Sequence, residues 1–269
     1  MQNHEVDGPQ ATPSVILLAA GRGSRMGSST ERIPKALLEV GGRPVLDWIL
    51  DAILARTTGE IVVVLGHGAQ WLSGHLAARY GDRVRTAVNA RYREDVNILS
   101  VELGVRALAH PERGYLVVET DLLVDDRVWD LVFERMRVSS DSFWVCRGAY
   151  APGLTGGIVR TRVGDAIDAI DYQPVYRPEF EGWRKMLGML YVGPGEVDCD
   201  RRFRQAMLDD VGQYYMRPWI VHLGDLPCRA LQVDEGFAAS FNTPAELDAA
   251  ARAFLAQAGA DGAWAHHER

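Results

Sequence analysis

The chain has 269 residues, 47% of them apolar, and a formal charge of −7. That is enough apolar material for a full core, either one large α/β domain or a domain with a lid, and the acidic balance excludes the basic stripe of a nucleic-acid-binding surface. Three scattered cysteines, Cys146, Cys199 and Cys228, are too few for a disulfide framework or a zinc site and read as reduced thiols.

Residues 1–13 are polar, without the basic start and apolar run of a signal peptide, and are expected to be a disordered tail. No apolar run reaches the length of a membrane span, so a cytoplasmic protein without a membrane partner is expected. Val15–Ala20 is a short apolar run ended by glycines, which predicts a buried central strand. A Gly/Ser/Arg-rich loop follows from Gly21 to about Ile33. Helical periodicity covers Val45–Ala55, with Pro44 where a first-turn proline is tolerated. Strands are predicted at Ile61–Leu65, Val84–Val88, Tyr115–Glu119 and Ser142–Cys146, and helices at Trp71–Arg79, Ile98–Ala109 and Arg127–Val138. Beyond Ala149 the pattern loosens. Gly156–Ile170 suits a hairpin, 172–184 is irregular, Met186–Val192 returns as a strand, and Arg201–Leu208 is amphipathic. A strand at Arg229–Val233 precedes a last helix, whose start carries a capping box: Thr243 as N-cap, Pro244 at N1 and Glu246 at N3.

Strands alternating with helices of about ten residues predict an α/β fold with a doubly wound, mostly parallel sheet. Residues 14–258 read as one domain, 150–192 as a small β-rich cover over the sheet edge, and 259–269 as a flexible tail.

The segment Leu17-Leu-Ala-Ala-Gly-Arg-Gly-Ser-Arg-Met-Gly27 is followed by Ile33-Pro-Lys-Ala-Leu-Leu38. A strand running into Gly21-Arg22-Gly23 brings backbone N–H groups close to a polyphosphate, because glycine has no Cβ in the way. Arg25 adds a guanidinium fork suited to phosphate oxygens. Lys35 is a point charge on a flexible stem. Among the 29 basic residues only Lys35 and Lys185 are lysine, which marks both as places where arginine does not serve. The segment is no P-loop, since no Lys-Ser or Lys-Thr follows the glycines. Nor does it complete a dinucleotide fingerprint, because Met26 stands in the third glycine's place.

Val117-Val-Glu-Thr-Asp121 ends a predicted parallel strand in acid, which directs Asp121 into the crevice where α/β folds bind ligands. Asp121 is therefore the first candidate ligand for Mg²⁺, a hard cation that takes one or two carboxylates plus phosphate oxygens. Glu119 shares its face by strand alternation.

These residues resemble the signature of the nucleotidyltransferase superfamily, L-A-A-G-x-G-x-R-[ML]-G followed by x-P-K-x-L-L, and a looser resemblance extends over most of 14–255. Sugar-1-phosphate and molybdenum-cofactor nucleotidyltransferases and cytidylyltransferases share it. The resemblance implies the Rossmann-like nucleotidyltransferase fold and Mg²⁺ as cofactor. It implies that Leu18, Ala19, Ala20, Gly21, Arg22, Gly23, Ser24 and Arg25 wrap the nucleotide. Arg25 would hold the leaving pyrophosphate, and Lys35 would bridge the α-phosphate and the acceptor. The family's second metal ligand precedes the last helix in a pattern like D-T-P-E-D-L. Phe241-Asn-Thr-Pro-Ala-Glu-Leu247 matches with Asn242 in place of the aspartate, so Asn242 is either a weaker ligand or only part of the turn, and Asp234 is the fallback.

Asn89-Ala-Arg-Tyr-Arg-Glu-Asp-Val-Asn-Ile-Leu-Ser100 is similar to the N-x-x-Y…N-N-I-x-S segment of phosphocholine-type cytidylyltransferases and their phosphonate-activating relatives. That resemblance points to CTP, with Asn97 and Ser100 as base and ribose contacts; Asn97 also suits a plain helix N-cap. The acceptor site is expected in 172–191, with Lys185, Arg184 and Tyr191 as contacts. Its aromatic and basic residues suit either a choline-like cation or an anion. The expected function is transfer of CMP from CTP to a small phosphonate or phosphomonoester, of phosphonoformate, aminoethylphosphonate or phosphocholine type, with release of pyrophosphate. A sugar-1-phosphate or molybdenum-cofactor enzyme and a non-catalytic nucleotide sensor are the alternatives. The sequence admits a homodimer without requiring one.

Overall fold

The computed structural model describes residues 13–30 and 33–260. The tail expected over 1–13 lies outside them apart from Pro13. The one expected over 259–269 lies outside them from residue 261 on, while 259–260 still belong to the last helix.

Four strands form the parallel centre: β1 (Ser14–Ala19), β4 (Ile61–Leu65), β5 (Arg85–Val88) and β6 (Tyr115–Glu119). They stand in the order β6-β1-β4-β5. All six residues of β1 are buried, because both faces of the sheet are covered. Alternation sends Val15, Leu17 and Ala19 to one face and Ile16, Leu18 and Ala20 to the other. The first face packs against α1 (Val45–Leu54), α2 (Ala69–Tyr80), α4 (Asp126–Val138) and α7 (Pro244–Ala260). The second packs against α3 (Ile98–Ala107), α5 (Val197–Ala206) and α6 (Arg217–Val221). This is a doubly wound α/β architecture, as the alternation of strands and helices in the sequence predicts. Helix α3 lies close on the sheet at Gly104, where a Cβ would stand 2.4 Å from Ile16 Cγ2.

The remaining strands are β2 (Glu39–Val40) and β3 (Arg43–Pro44), a small hairpin, then β7 (Leu122–Val124), β8 (Phe143–Ala149), β9 (Gly156–Thr161), β10 (Ile167–Gln173), β11 (Arg184–Val192), β12 (Arg229–Gln232) and β13 (Ala238–Ser240). Strand β11 pairs antiparallel with β6, and the β9–β10 hairpin pairs with β11, so the region expected as a cover extends the main sheet itself. Two features decide the site. Strands β7 and β13 pair antiparallel, bringing the start of α7 to the end of β6. Strand β11, being antiparallel to β6, presents its beginning rather than its end to the carboxyl edge of the parallel strands.

A buried polar cluster ties α3 to α5 and α6. Arg204 Nε donates to Glu102 Oε2 at 3.0 Å, and its guanidinium pairs with Asp200. Tyr115 Oη and Trp219 Nε1 donate to the same Asp200 carboxylate at 2.6 and 3.0 Å.

Candidate active site

The carboxyl ends of β1 and β6 lie side by side, Leu18 opposite Glu119, and Thr120 Oγ1 donates to Leu18 O at 3.0 Å across them. Beyond these ends opens a cleft of about 550 Å³. One wall is the glycine loop. Gly23 adopts φ +63° and lies against Lys35 Cβ and Thr30, where a side chain would crowd both; Thr30 Oγ1 closes the loop onto Gly23 O at 2.9 Å. Gly21 has open space around its Cα, so its backbone is free to approach a ligand. Leu18, Ala19, Ala20, Gly21, Gly23, Ser24, Arg25 and Lys35 all line the cleft, whereas Arg22 is exposed and does not. Pro34, seated on Gly68, sets the direction from which Lys35 enters.

Lys35 is the hub of the site. Its Nζ donates to Asp121 Oδ2 at 2.8 Å, to Phe241 O at 2.6 Å and to Asn242 Oδ1 at 3.4 Å. Arg25 Nη2 donates to the same Asn242 oxygen at 2.7 Å. The β7–β13 pair supplies this convergence, helped by Phe241 N donating to Asp121 O at 3.0 Å. The expected capping box is present: Glu246 N donates to Thr243 Oγ1 at 3.2 Å, while Glu246 Oε2 accepts from Thr243 N at 3.2 Å and Asn242 N at 2.5 Å. The Asn242 side chain takes no part in it and points its oxygen at the two cations. Asp234 lies elsewhere, accepting from Gly148 N at 3.1 Å, and does not line the cleft.

The donor set fits a hard divalent cation. Asp121 Oδ1 is buried with no hydrogen-bond partner, an orphan acceptor on the carboxylate that shares Lys35 with the Asn242 carbonyl, and buried carboxylate oxygens need a proton donor or a cation. No three His, Cys, Asp or Glu side chains cluster as metal ligands among the described residues. A Mg²⁺ site completed by phosphate oxygens requires no such cluster.

Deeper in the cleft stand Glu119 and Lys185. Burial, and then the nearby Asp121 charge, push the Glu119 carboxyl up to about 7, against the pull of Lys185, Lys35 and Arg25. The carboxylate fits because Gly188 opposite has φ +68°; a Cβ there would lie 2.6 Å from Glu119 Oε2. Lys185 donates to Met186 O at 2.6 Å and Gly157 O at 3.4 Å, and burial lowers its pKa. Arg184 and Tyr191 do not line this cleft. Tyr191 is 2% exposed and packs on Phe143 at a ring distance of 5.2 Å. Being opposite Leu116, it lies toward the start of β6; the antiparallel course of β11 carries it away from the site. Asp95 performs the N-capping expected of Asn97: its carboxylate accepts from Leu99 N at 3.0 Å and Ser100 N at 2.9 Å. Ser100 lines the cleft with its hydroxyl already engaged, donating to Asp95 Oδ2 at 2.7 Å and accepting from Asn89 Nδ2 at 3.0 Å.

The sequence reading missed Trp144, Tyr214, Tyr215 and Met216, which share the cleft with Lys185. Trp144 Nε1 is buried without a partner, the buried Tyr215 hydroxyl faces the Glu119 carboxyl, and Tyr172 stacks on Tyr214 at 4.1 Å with hydroxyls 2.5 Å apart. The aromatic pair ahead of Pro218 was the only signal, and nothing in its spacing points to a ligand.

A MobA-like NTP transferase domain model matches residues 15–184. The chain is 30% identical over 162 residues to the CMP-5'-(3-aminopropyl)phosphonate synthase of Streptomyces rubellomurinus, covering 59% of this chain and 24% of that protein. It is 42% identical over 88 residues to the bifunctional protein GlmU of Sorangium cellulosum, 31% of this chain and 18% of that one. The match thus spans under a third of these curated relatives. The fold is that of the CTP:phosphocholine cytidylyltransferase of Streptococcus pneumoniae, with a TM-score of 0.76 at 16% identity over 90% of this chain and 99% of that one. The inositol-1-phosphate CTP transferase of T. maritima gives 0.74 at 12% identity over 92% and 97%. With the family model covering more than half of its length, the chain belongs to the MobA-like NTP transferases.

Proposed function

We propose that the chain is a Mg²⁺-dependent cytidylyltransferase that transfers CMP from CTP to a small phosphonate or phosphomonoester and releases pyrophosphate. The observation that carries this reading is the meeting of Arg25, Lys35, Asp121 and Asn242 at the carboxyl edge of the sheet. An acceptor oxygen attacks the α-phosphorus in line with the bond to the β-phosphate; a P–O bond forms, the α–β bridge breaks, and pyrophosphate carries off the electron pair. The task is positioning and charge stabilisation. The glycine loop presents N–H groups to the triphosphate, Lys35 stabilises the charge growing on the α-phosphoryl oxygens, and Arg25 swings from Asn242 to the leaving pyrophosphate. Asp121 and Asn242 would hold Mg²⁺, which when bound withdraws charge from phosphate oxygens. Lys185, partly buried in the acceptor half of the cleft, offers a cation to the acceptor phosphonate or phosphate.

CTP is favoured over other NTPs by the relatives with CMP or CTP in their names and by the Asn89–Ser100 segment. The similarity to GlmU supports a second reading, the same chemistry on a sugar phosphate. Pyrophosphate release with Mg²⁺, each NTP in turn, and phosphocholine, simple phosphonates, glucose-1-phosphate and inositol phosphate as acceptors separates the two. Release with CTP and a small phosphonate or phosphoester is expected. Release only with UTP, dTTP or GTP and a sugar phosphate would replace the reading with the second. Nucleotide binding without release from any acceptor would leave a non-catalytic sensor.

A further inference from the structure

We propose that Asn97 is a positioning residue for the acceptor half of the cleft. Its amide oxygen holds the 214–216 wall, and its amide nitrogen is the part left to the nucleotide. The role rests on the nucleotidyltransferase reading above. Asn97 Oδ1 accepts from Tyr215 N at 2.8 Å. A backbone N–H only donates, so the side-chain amide must turn its oxygen to Tyr215 and its NH₂ group the other way. Because Asp95 caps α3, Asn97 is free for this long-range bond, which reaches across 118 residues. Val96 N donates to Val211 O at 3.0 Å, so the same two segments are joined twice.

The segment held in this way links α5 to α6 and pairs with no strand. It carries Tyr214, Tyr215 and Met216 into the cleft beside Lys185 and Gly157. Tyr215 stacks on Trp144 at 5.6 Å and turns its hydroxyl toward the Glu119 carboxyl, while the buried Trp144 indole N–H is without a partner. The placement of the Tyr215 ring depends on where its backbone sits, and the Asn97 bond to Tyr215 N helps to set that. Asn97 itself lines the cleft with Leu18, Ala20 and Ser24 of the nucleotide half. One amide group therefore serves both substrates with opposite ends. With the oxygen turned to Tyr215 N, the NH₂ group is the end that Asn97 presents to the nucleotide half.

Two substitutions separate the ends. Asn97→Asp keeps an oxygen for Tyr215 N and loses the donor; Asn97→Ala loses both. In steady-state assays with the NTP and acceptor that the wild type uses, both variants are expected to raise the NTP KM. Only Asn97→Ala is expected to raise the acceptor KM, by about tenfold, the order expected for one lost hydrogen bond. Amide hydrogen exchange of the 211–216 peptide, which needs no turnover, is expected to quicken by about tenfold in Asn97→Ala and to stay near wild type in Asn97→Asp. An acceptor KM raised as much by Asn97→Asp as by Asn97→Ala would overturn the proposal, as would Asn97→Ala leaving both exchange and acceptor KM unchanged. Should Asn97→Ala fail to fold, Asn97→Asp alone decides: a raised NTP KM with an unmoved acceptor KM supports the role, and the reverse refutes it. A wild-type protein silent with every substrate would remove the enzymatic reading and with it the acceptor role. The exchange comparison would still report whether Asn97 holds the wall.

Discussion

Replacing Lys35 separates a charge that serves the fold from one that serves the reaction. Its ammonium meets three oxygens from two distant segments, at 2.8, 2.6 and 3.4 Å. In Lys35→Ala the Asp121 carboxylate loses its partner on Oδ2 while Oδ1 is already unpaired. The two side chains are 14% and 20% exposed at the mouth of an open cleft. Water can therefore replace the lost partner, and the cost to folding is on the order of 1 kcal/mol, nearer the range of surface pairs than of sealed ones. In the proposed reaction the cost is larger, because there the removed charge would stabilise the transition state. Loss of one such preorganised group lowers turnover by about 100- to 1,000-fold, roughly 3–4 kcal/mol. Lys35→Arg is expected to recover at most about tenfold of that loss, because a planar fork cannot converge on the three oxygens as a point charge does. The assay is pyrophosphate release at saturating NTP and acceptor, beside a thermal melt of each variant. Turnover of Lys35→Ala within about tenfold of wild type, or full activity in Lys35→Arg, would refute the assignment.

Glycines test the packing. Gly104→Ala should destabilise by about 1–3 kcal/mol, because the new methyl meets Ile16 at 2.4 Å, whereas Gly74→Ala, with nothing within 4 Å inside α2, should raise the melting midpoint by an amount reflecting up to about 1 kcal/mol. Glu119 predicts a pH dependence: an acid with its folded pKa raised from 4.5 to about 7 favours the fold least when ionised, so its penalty grows as pH rises through that window and is complete above it. Glu119→Gln should therefore gain melting temperature over the ligand-free wild type at pH 8 but not at pH 4, and an equal offset at both pH values would contradict this. Glu246→Ala removes the acceptor for Asn242 N and Thr243 N and should cost about 1 kcal/mol in a melt; a weaker apparent Mg²⁺ affinity in the pyrophosphate assay is also expected, since the loosened turn carries Asn242.

Local chemistry made much of this molecule legible in advance. The apolar run 15–20, short and ended by glycines, suited a strand buried on both faces, and the glycines after it marked a backbone open to a ligand. Asp121 at the end of a parallel strand and the Thr243–Glu246 box at a helix start follow from offsets of a few residues, which the chain itself enforces. Asn242 beside Asp121 does not: the two meet because β7 and β13 pair, and the bonds of Arg25 to Asn242 and of Lys35 to Asp121 span 217 and 86 residues. The direction of β11 was equally hidden. A strand's composition is the same parallel or antiparallel, yet direction alone puts Lys185 in the cleft and Tyr191 in the core. The amide of Asn97 shows the same limit at one side chain: its residue type suited a cap or a base contact. Only the arrival of the Tyr215 N–H, from 118 residues away, determined which end of the amide remains free, because a donor must meet an acceptor.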